Sequence, residues 1–445
     1  MTQETLTLID LVTDRDLDGM NDWLADHGAL DIAEELTRLD PTEQAMVFRL
    51  LAKDRALAVF EALDPVNQQQ LIDALADESV NDLFRHLDAD DRARLLDEMP
   101  AMVARRLLAS LPTDARENTN LLLGYPEDSV GRTMSPRYVS VRAGQTAADA
   151  LTKIRRAGLR PREVLVVPVT DDQRGLVGVV DLPDLVTAEK GTRVGDLTRP
   201  ETYAARVDED QEVAARLIGE ADLVALPVVD TEDRLVGVLT VDDAMEIIEE
   251  EETEDIQRAG GVEPLGVPYL QAGVLHLARK RATWLLVLIL AAVATVNVLE
   301  FFEDTLEAVV ALALFIPLLI DTGGNSGSQA ATVVIRAMAV GEVQFRDLPR
   351  ILHRELRVGV LLGMMLGVVG FPIVWFFYGV EFAIVISTTL LVICTWASFA
   401  GGLLPIVAKR LGIDPAVVSA PLITTLVDAT GLIIYFLIAR AVLGI

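Results

Sequence analysis

The sequence predicts a multi-domain chain: an all-α superhelical N domain, two α/β units in tandem, an acidic connecting helix and an all-α membrane domain with five transmembrane helices. Charge and hydrophobicity are segregated in opposite senses, and two internal repeats of different period fill the charged part. Of 445 residues 24% are charged and the net charge is −29, yet mean hydropathy is +0.37, too apolar for a uniform chain. Residues 271–445 hold 11 acidic and 11 basic side chains, so the whole net charge falls in residues 1–270. This excludes a single soluble globule, and it excludes nucleic-acid binding, whose footprint is basic. The only cysteine, Cys394, lies in an apolar run, against a disulfide-built secreted protein. The opening Met1-Thr-Gln-Glu is polar and acidic, so no cleavable signal is expected.

Residues 28–112 carry a short repeat. Leu39-Asp, Leu51-Ala, Leu63-Asp, Leu75-Ala, Leu87-Asp, Met99-Pro and Leu111-Pro recur every 12 residues, and Leu39-Asp-Pro, Leu63-Asp-Pro and Leu87-Asp-Ala mark a 24-residue double unit. Asp caps free N–H groups at a helix start and Pro suits the first turn, so the pattern reads as stacked short helices. Most of its acids are expected to be solvated surface.

Residues 130–248 carry a longer repeat. Val164-Leu-Val-Val-Pro168 and Leu223-Val-Ala-Leu-Pro227 lie 59 residues apart, as do Leu176-Val-Gly-Val-Val-Asp181 and Leu235-Val-Gly-Val-Leu-Thr240. Each unit reads strand, turn (Asp171-Asp-Gln-Arg or Thr231-Glu-Asp-Arg), strand, then helix from Leu182 or Val241. Met134-Ser-Pro and Leu197-Thr-Arg-Pro hold equivalent leading positions. The arrangement resembles a tandem CBS pair, a regulatory module without catalytic chemistry whose cleft often takes adenine nucleotides. That resemblance implies an optional ATP site with Asp184 or Asp243 on the ribose, but Leu223 stands where an aromatic stacking partner is expected.

From Asp242 to Asp255 nine of fourteen residues are acidic and none is basic. Ala244, Met245, Ile248 and Ile256 give one weak apolar face, and Gly260-Gly261 ends the helix. Pro264 and Pro268 lead on to Arg279-Lys-Arg. The expected domains are therefore 1–129, 130–241, 242–270 and 271–445.

Five apolar segments follow, near 282–299, 308–338, 358–378, 382–408 and 416–442, each long enough for a ~30 Å hydrocarbon core. Arg279, Lys280 and Arg281 precede the first. Arg336, Arg346, Arg350, Arg354 and Arg357 separate the second and third, and Lys409 and Arg410 the fourth and fifth. The alternate connections carry Glu300, Glu303, Asp304, Glu307 and Glu381 and no base, so the N-terminus is expected in the cytoplasm and the C-terminus outside. Arg440 is the one dissenting charge.

Two segments carry polar groups at depth. The second reads Phe315-Ile-Pro-Leu-Leu-Ile-Asp-Thr-Gly-Gly-Asn-Ser-Gly-Ser-Gln329. Asn325 and Gln329 would need partners in lipid, so ion or water contact is favoured over packing alone, and Asp321 is open between a structural and a path role. In the fifth, Pro421 is expected to free the Val417 carbonyl. Asp428 lies midway, where a carboxylate costs roughly 2.5–3.5 kcal/mol, which marks a functional site.

Pro317 through Ala330, Ile335-Arg336-Ala337, Leu411-Gly-Ile-Asp-Pro-Ala-Val-Val-Ser419 and Thr424-Thr-Leu-Val-Asp428-Ala-Thr-Gly resemble the membrane domain of the bacterial MgtE magnesium channels. The order of the other domains agrees. The resemblance implies a homodimer in the inner membrane with one pore for Mg²⁺, in which Asp428 lines the ion site with backbone carbonyls and Asn325. Asp321 departs from the family pattern. The resemblance also implies cytosolic sensor ligands at Asp222, Asp243, Glu246, Glu251, Glu254, Asp255 and Asp414. Packed acidic domains repel one another, Mg²⁺ bridges them, and loss of the bridges at low cytosolic Mg²⁺ opens the path. The alternative is a proton-coupled secondary divalent-cation transporter in which Asp428 and Asp321 shuttle protons.

Overall fold

The computed structural model describes residues 7–13, 15–75, 77–99, 101–199, 203–267, 269, 272–418 and 420–445. The acidic start, Ala76, Pro100, Pro200, Pro268 and Ser419 lie outside the described residues. Two units divide the chain, 1–250 and 251–445.

In the first unit, helices begin at Ala29, Pro41, Lys53, Pro65, Asp77, Ala89, Ala101 and Thr113. Each start falls 12 residues after the last, the period of the sequence repeat. The local cause is visible at Asp40, whose carboxylate accepts from the N–H groups of Thr42 and Glu43 at 2.9 Å. Asp64 repeats this with Val66 and Asn67 at 3.0 Å. A second periodic device lies four residues further on. Buried Gln44 donates to the Leu36 and Leu39 carbonyls, Gln68 to that of Phe60, and Arg92 to that of Leu87. Positions 44, 68 and 92 thus tie each double unit to the carbonyl end of the helix before it, where four acceptors would otherwise lack partners. Phe48, Val59, Phe60, Leu71 and Phe84 fill the core between the helices.

The α/β part has two three-stranded sheets. In one, β1 (Val141–Arg142) runs parallel to β2 (Val166–Thr170), which pairs antiparallel with β3 (Leu176–Asp181). In the other, β4 (Ala205–Arg206), β5 (Ala225–Val229) and β6 (Leu235–Thr240) repeat that topology. The leading segments are exchanged: Ser135 bridges to Val238 of β6, and Arg199 to Val179 of β3. Gly178 permits this approach, since a Cβ there would lie 2.5 Å from the Arg199 carbonyl oxygen. The first α/β unit closes with a six-residue helix, Leu182–Thr187, whereas its counterpart, Val241–Ala259, runs for 19 residues. The connecting helix is therefore the last helix of the second α/β unit, extended. It ends where Gly261 takes φ +71° and the Val262 N–H closes on the Gln257 carbonyl.

Among the described residues of the second unit five helices are long and apolar enough to span a bilayer: Val274–Phe301, Val310–Ala339, Phe345–Tyr378, Val380–Arg410 and Ala420–Leu443. The first has no buried residue. The fourth is the packing centre, with 15 buried residues. Small residues let its neighbours approach: on the third helix Gly359, Gly363 and Gly367 repeat every four residues, and a Cβ on Gly363 would lie 2.5 Å from the Leu391 Cα.

Candidate functional site

The run Gly323-Gly-Asn-Ser-Gly-Ser-Gln329 is continuous α-helix within Ile316–Ala339, so its backbone needs no ion or water. Gly323, Gly324 and Gly327 are buried, and a Cβ on them would strike Ile393, Thr424 or Ile423 at 2.5–2.9 Å. Packing therefore accounts for the glycines, a correction to the expectation above. The polar residues separate from them. Asp321, Asn325 and Gln329, spaced four apart, are all exposed on one face, while Ser328 Oγ donates to the Ala420 carbonyl at 3.2 Å.

Pro421 requires a second correction. The fifth helix begins at Ala420, so Pro421 sits in its first turn, where a missing N–H costs nothing. Val417 belongs to a separate 3₁₀ turn, Pro415–Val417, and its carbonyl is not released from a helix.

Asp428 lies midway along the fifth helix. Its Oδ1 is buried and has no hydrogen-bond partner among the described residues. Asp321 on the second helix acts on it electrostatically. The adjacent turn supplies polar atoms of its own, with Trp396 Nε1 donating to Thr430 Oγ1 at 2.8 Å. The dissenting Arg440 is accounted for: it donates to Thr305 Oγ1 at 2.9 Å and its Cζ stands 4.8 Å from the Phe302 ring centroid.

A second candidate site gathers acids within the first unit. The third Asp of the double unit, Asp88, does not cap its helix. Its carboxylate instead meets Arg160 at 2.9 Å, and Arg160 also binds Glu61 at 2.9 Å. Beside it Asp90 Oδ1 is buried without a partner among the described residues. Burial, then the charges of Asp243, Asp91 and Asp88, hold the Asp90 carboxyl well above the carboxylate range. Burial and then Asp88, Glu246 and Glu61 raise Asp91 to about 6. Asp243 reaches about 7, chiefly through burial, with Asp242, Asp91 and Glu246 adding to it against a hydrogen bond from Thr240. Arg94 crosses from the helical repeat to the connecting helix, donating to Glu246 at 2.6 Å and to Glu250.

The remaining predicted ligands are spread out. Asp222 is exposed at φ +51° in the turn after helix Gln211–Glu220. Glu251, Glu254 and Asp255 lie along the connecting helix. Arg258 joins two of the predicted ligands, meeting Glu254 at 2.6 Å and Asp414 at 2.9 Å. Arg336 reaches Glu252 at 3.4 Å. Among the described residues no three carboxylates converge in a metal-holding group. Asp184 is exposed in the first turn of its helix and Leu223 is half-buried against the second sheet's core. Sequence reasoning missed Asp88, Asp90, Asp91 and Glu61, and the arginines facing them. The available signal was the third double unit, Asp88-Ala-Asp-Asp, in which Ala89 stands in place of the Pro of the first two and two acids follow it.

Among the described residues, five helices fit to span a bilayer and the buried, unpartnered Oδ1 of Asp428 at depth, in a chain with an acidic helical repeat and a tandem α/β pair, define a multi-pass membrane protein of the ion-transport class. The chain belongs to the MgtE family. Residues 316–438 match the MgtE divalent cation transporter profile, 28–128 the MgtE intracellular N domain, and 129–191 and 194–250 the CBS domain. The magnesium transporter MgtE of Thermus thermophilus is 41% identical over 76% of this chain and 75% of its own length. That of Bacillus subtilis is 33% identical over 75% of this chain and 74% of its own. The crystal structure of the cytosolic domain of the Mg²⁺ channel MgtE in complex with ATP is 33% identical and covers 54% of this chain and 98% of that one at TM-score 0.50.

Proposed function

We propose that the chain is a homodimeric Mg²⁺ channel that admits Mg²⁺ to the cytosol and is closed by cytosolic Mg²⁺. The observation that carries the reading is Asp428, a carboxylate whose Oδ1 is buried and unpartnered among the described residues at membrane depth, on a helix packed against the one that carries the exposed Asp321, Asn325 and Gln329. An anion there is costly unless a cation or water path meets it, and relatives named as magnesium transporters support the choice of ion. Mg²⁺ dehydrates reluctantly, so Asp428 would act on a largely hydrated ion through its water shell, with Asn325 lining the path. The N-terminus lies in the cytosol and the C-terminus outside.

The gate rests on the acidic residues. Asp88, Asp90 and Asp91 face Asp243 and Glu246 with their charge only partly offset by Arg94 and Arg160. Hard oxygen ligands suit Mg²⁺, and the ion favours the packed arrangement by its differential affinity. Asp222 in the first unit, and Glu251, Glu254, Asp255 and Asp414 in the second, are further candidate ligands. A CBS cleft here would offer Asp184 to a ribose but only Leu223 to an adenine, so ATP affinity should be weak by calorimetric titration.

Replacing Asp428 by Ala should abolish Mg²⁺ uptake in cells that depend on this protein while membrane abundance stays normal. Uptake at the unsubstituted rate would remove the pore assignment.

A further inference from the structure

The third membrane helix, Leu348–Tyr378, has 31 residues, about 46 Å at 1.5 Å per residue, against a ~30 Å hydrocarbon core. Roughly ten residues must therefore lie outside the hydrocarbon, and their pattern is one-sided. Arg350, His353, Arg354 and Arg357 are all exposed and fall within an arc of about 100° at 100° per residue. The packed side lies opposite: Ile351, Gly359 and Gly363 are buried, and Glu355 lies against Gly402. Past Arg357 the basic face becomes apolar, with Leu361, Met364, Met365 and Val368 all exposed. One outward face thus changes from guanidinium to hydrocarbon within a single turn.

Neighbouring residues add to the basic end. Arg410, at the end of the fourth helix, places its Cζ 4.0 Å from the Phe345 ring centroid, next to Arg346 in sequence, and Lys409 is exposed beside it. Elsewhere in the same unit arginines find acids, as Arg258 and Arg336 do. Arg346, Arg350, Arg354, Arg357, Lys409 and Arg410 make no ion pair among the described residues. Nearby Asp347 is used to accept from the Gln344 N–H at 3.1 Å. The inside-positive bias explains the number of bases here. It does not explain their confinement to one outward sector, in a chain of net charge −29, aligned with an apolar strip.

We propose that this face is a docking site for anionic phospholipids of the leaflet it meets. The arginine sector, with Lys409 and Arg410, holds the phosphodiester headgroup, to which guanidinium offers paired donors. An acyl chain lies along Leu361, Met364, Met365 and Val368. The reading is independent of the ion path and the gate.

The test is native mass spectrometry of the full chain released from detergent carrying equal phosphatidylglycerol and phosphatidylcholine of identical acyl chains. The unsubstituted protein should retain phosphatidylglycerol at least about tenfold over phosphatidylcholine. Substituting Arg346, Arg350, Arg354 and Arg357 together by Gln should lower the ratio at least about fivefold, and by Lys should keep most of it, since a juxtamembrane base contributes on the order of fivefold. If the fourfold Gln variant fails to fold, Arg350→Gln and Arg354→Gln singly should each lower the ratio severalfold. Equal retention of both lipids by the unsubstituted protein overturns the proposal. So does a ratio unmoved by the Gln substitutions, or loss of phosphatidylglycerol to millimolar inorganic phosphate, which would make the patch a simple anion site. An altered oligomeric state with an unchanged lipid ratio would reassign the face to a subunit interface.

Discussion

Asp414 and Glu254 share one guanidinium, that of Arg258, and a divalent cation binding both carboxylates must displace it. The three side chains are about one-third exposed, at 34–41%, so the pair costs little to break, about 0.5–1 kcal/mol. On the proposed gate, Arg258→Gln should lower the Mg²⁺ concentration that half-closes the channel by about two- to fivefold, read as flux inhibition in proteoliposomes. A shift to higher Mg²⁺ would make Arg258 a strut of the closed state instead.

The acids around Asp243 give a pH dependence with a definite sign. Asp243 and Asp91 titrate near 7 and 6 in the folded chain and near the usual carboxylate value, about 3.9, when unfolded. Between those values the folded state holds more protons, so stability falls as pH rises through 6 to 7. In EDTA, therefore, the melting temperature of the full chain should rise as pH falls from 8 to 6. Asp243→Asn should flatten that dependence. A melting temperature that drops over the same interval would contradict the burial described for these carboxyls.

At the scale of elements, legibility followed the range of the interactions that form them. The helices of the 12-residue repeat could be read because Asp40 and Asp64 cap through N–H groups two and three residues away. The role of Asp88 was hidden because its partners, Arg160 and Arg137, lie about 50–70 positions downstream and the repeat gives no sign of them. The same holds in the membrane. Hydropathy located five spans, but whether glycines serve an ion or a neighbouring helix depends on what faces them. Gly323 and Gly327 face Ile393 and Ile423, residues about 70 and 96 positions away. Pro421 was misjudged by position: hydropathy marked an apolar segment, and the helix starts four residues later than that segment. Packing also yields a prediction. Gly363→Val puts a side chain against the backbone of the fourth helix, which cannot yield, so it should destabilise by about 1–3 kcal/mol, seen as a lowered midpoint in thermal unfolding from detergent. An unchanged midpoint would mean the two helices do not meet there.

At the scale of the molecule, the charge division carried the functional argument further than any motif. It separated a neutral membrane domain, in which Asp428 stands out, from a −29 portion whose repulsion needs counter-charge. Part of that counter-charge is internal, supplied by Arg94, Arg160 and Arg258, a feature that composition alone conceals because bases are few. Deleting residues 1–129 removes Asp88, Asp90, Asp91 and Arg94, so the shortened channel should be closed less completely by millimolar Mg²⁺ in flux assays. Unchanged inhibition would reduce the helical repeat to a scaffold. The central claim is that Mg²⁺ flows through a gated pore. Patch-clamp recording from membranes containing the full chain tests it most directly. The account predicts Mg²⁺-carried unitary currents that close as Mg²⁺ rises on the cytosolic face, and that are absent in Asp428→Ala. Mg²⁺ uptake that proceeds without resolvable currents and stops when the proton gradient is collapsed would contradict it.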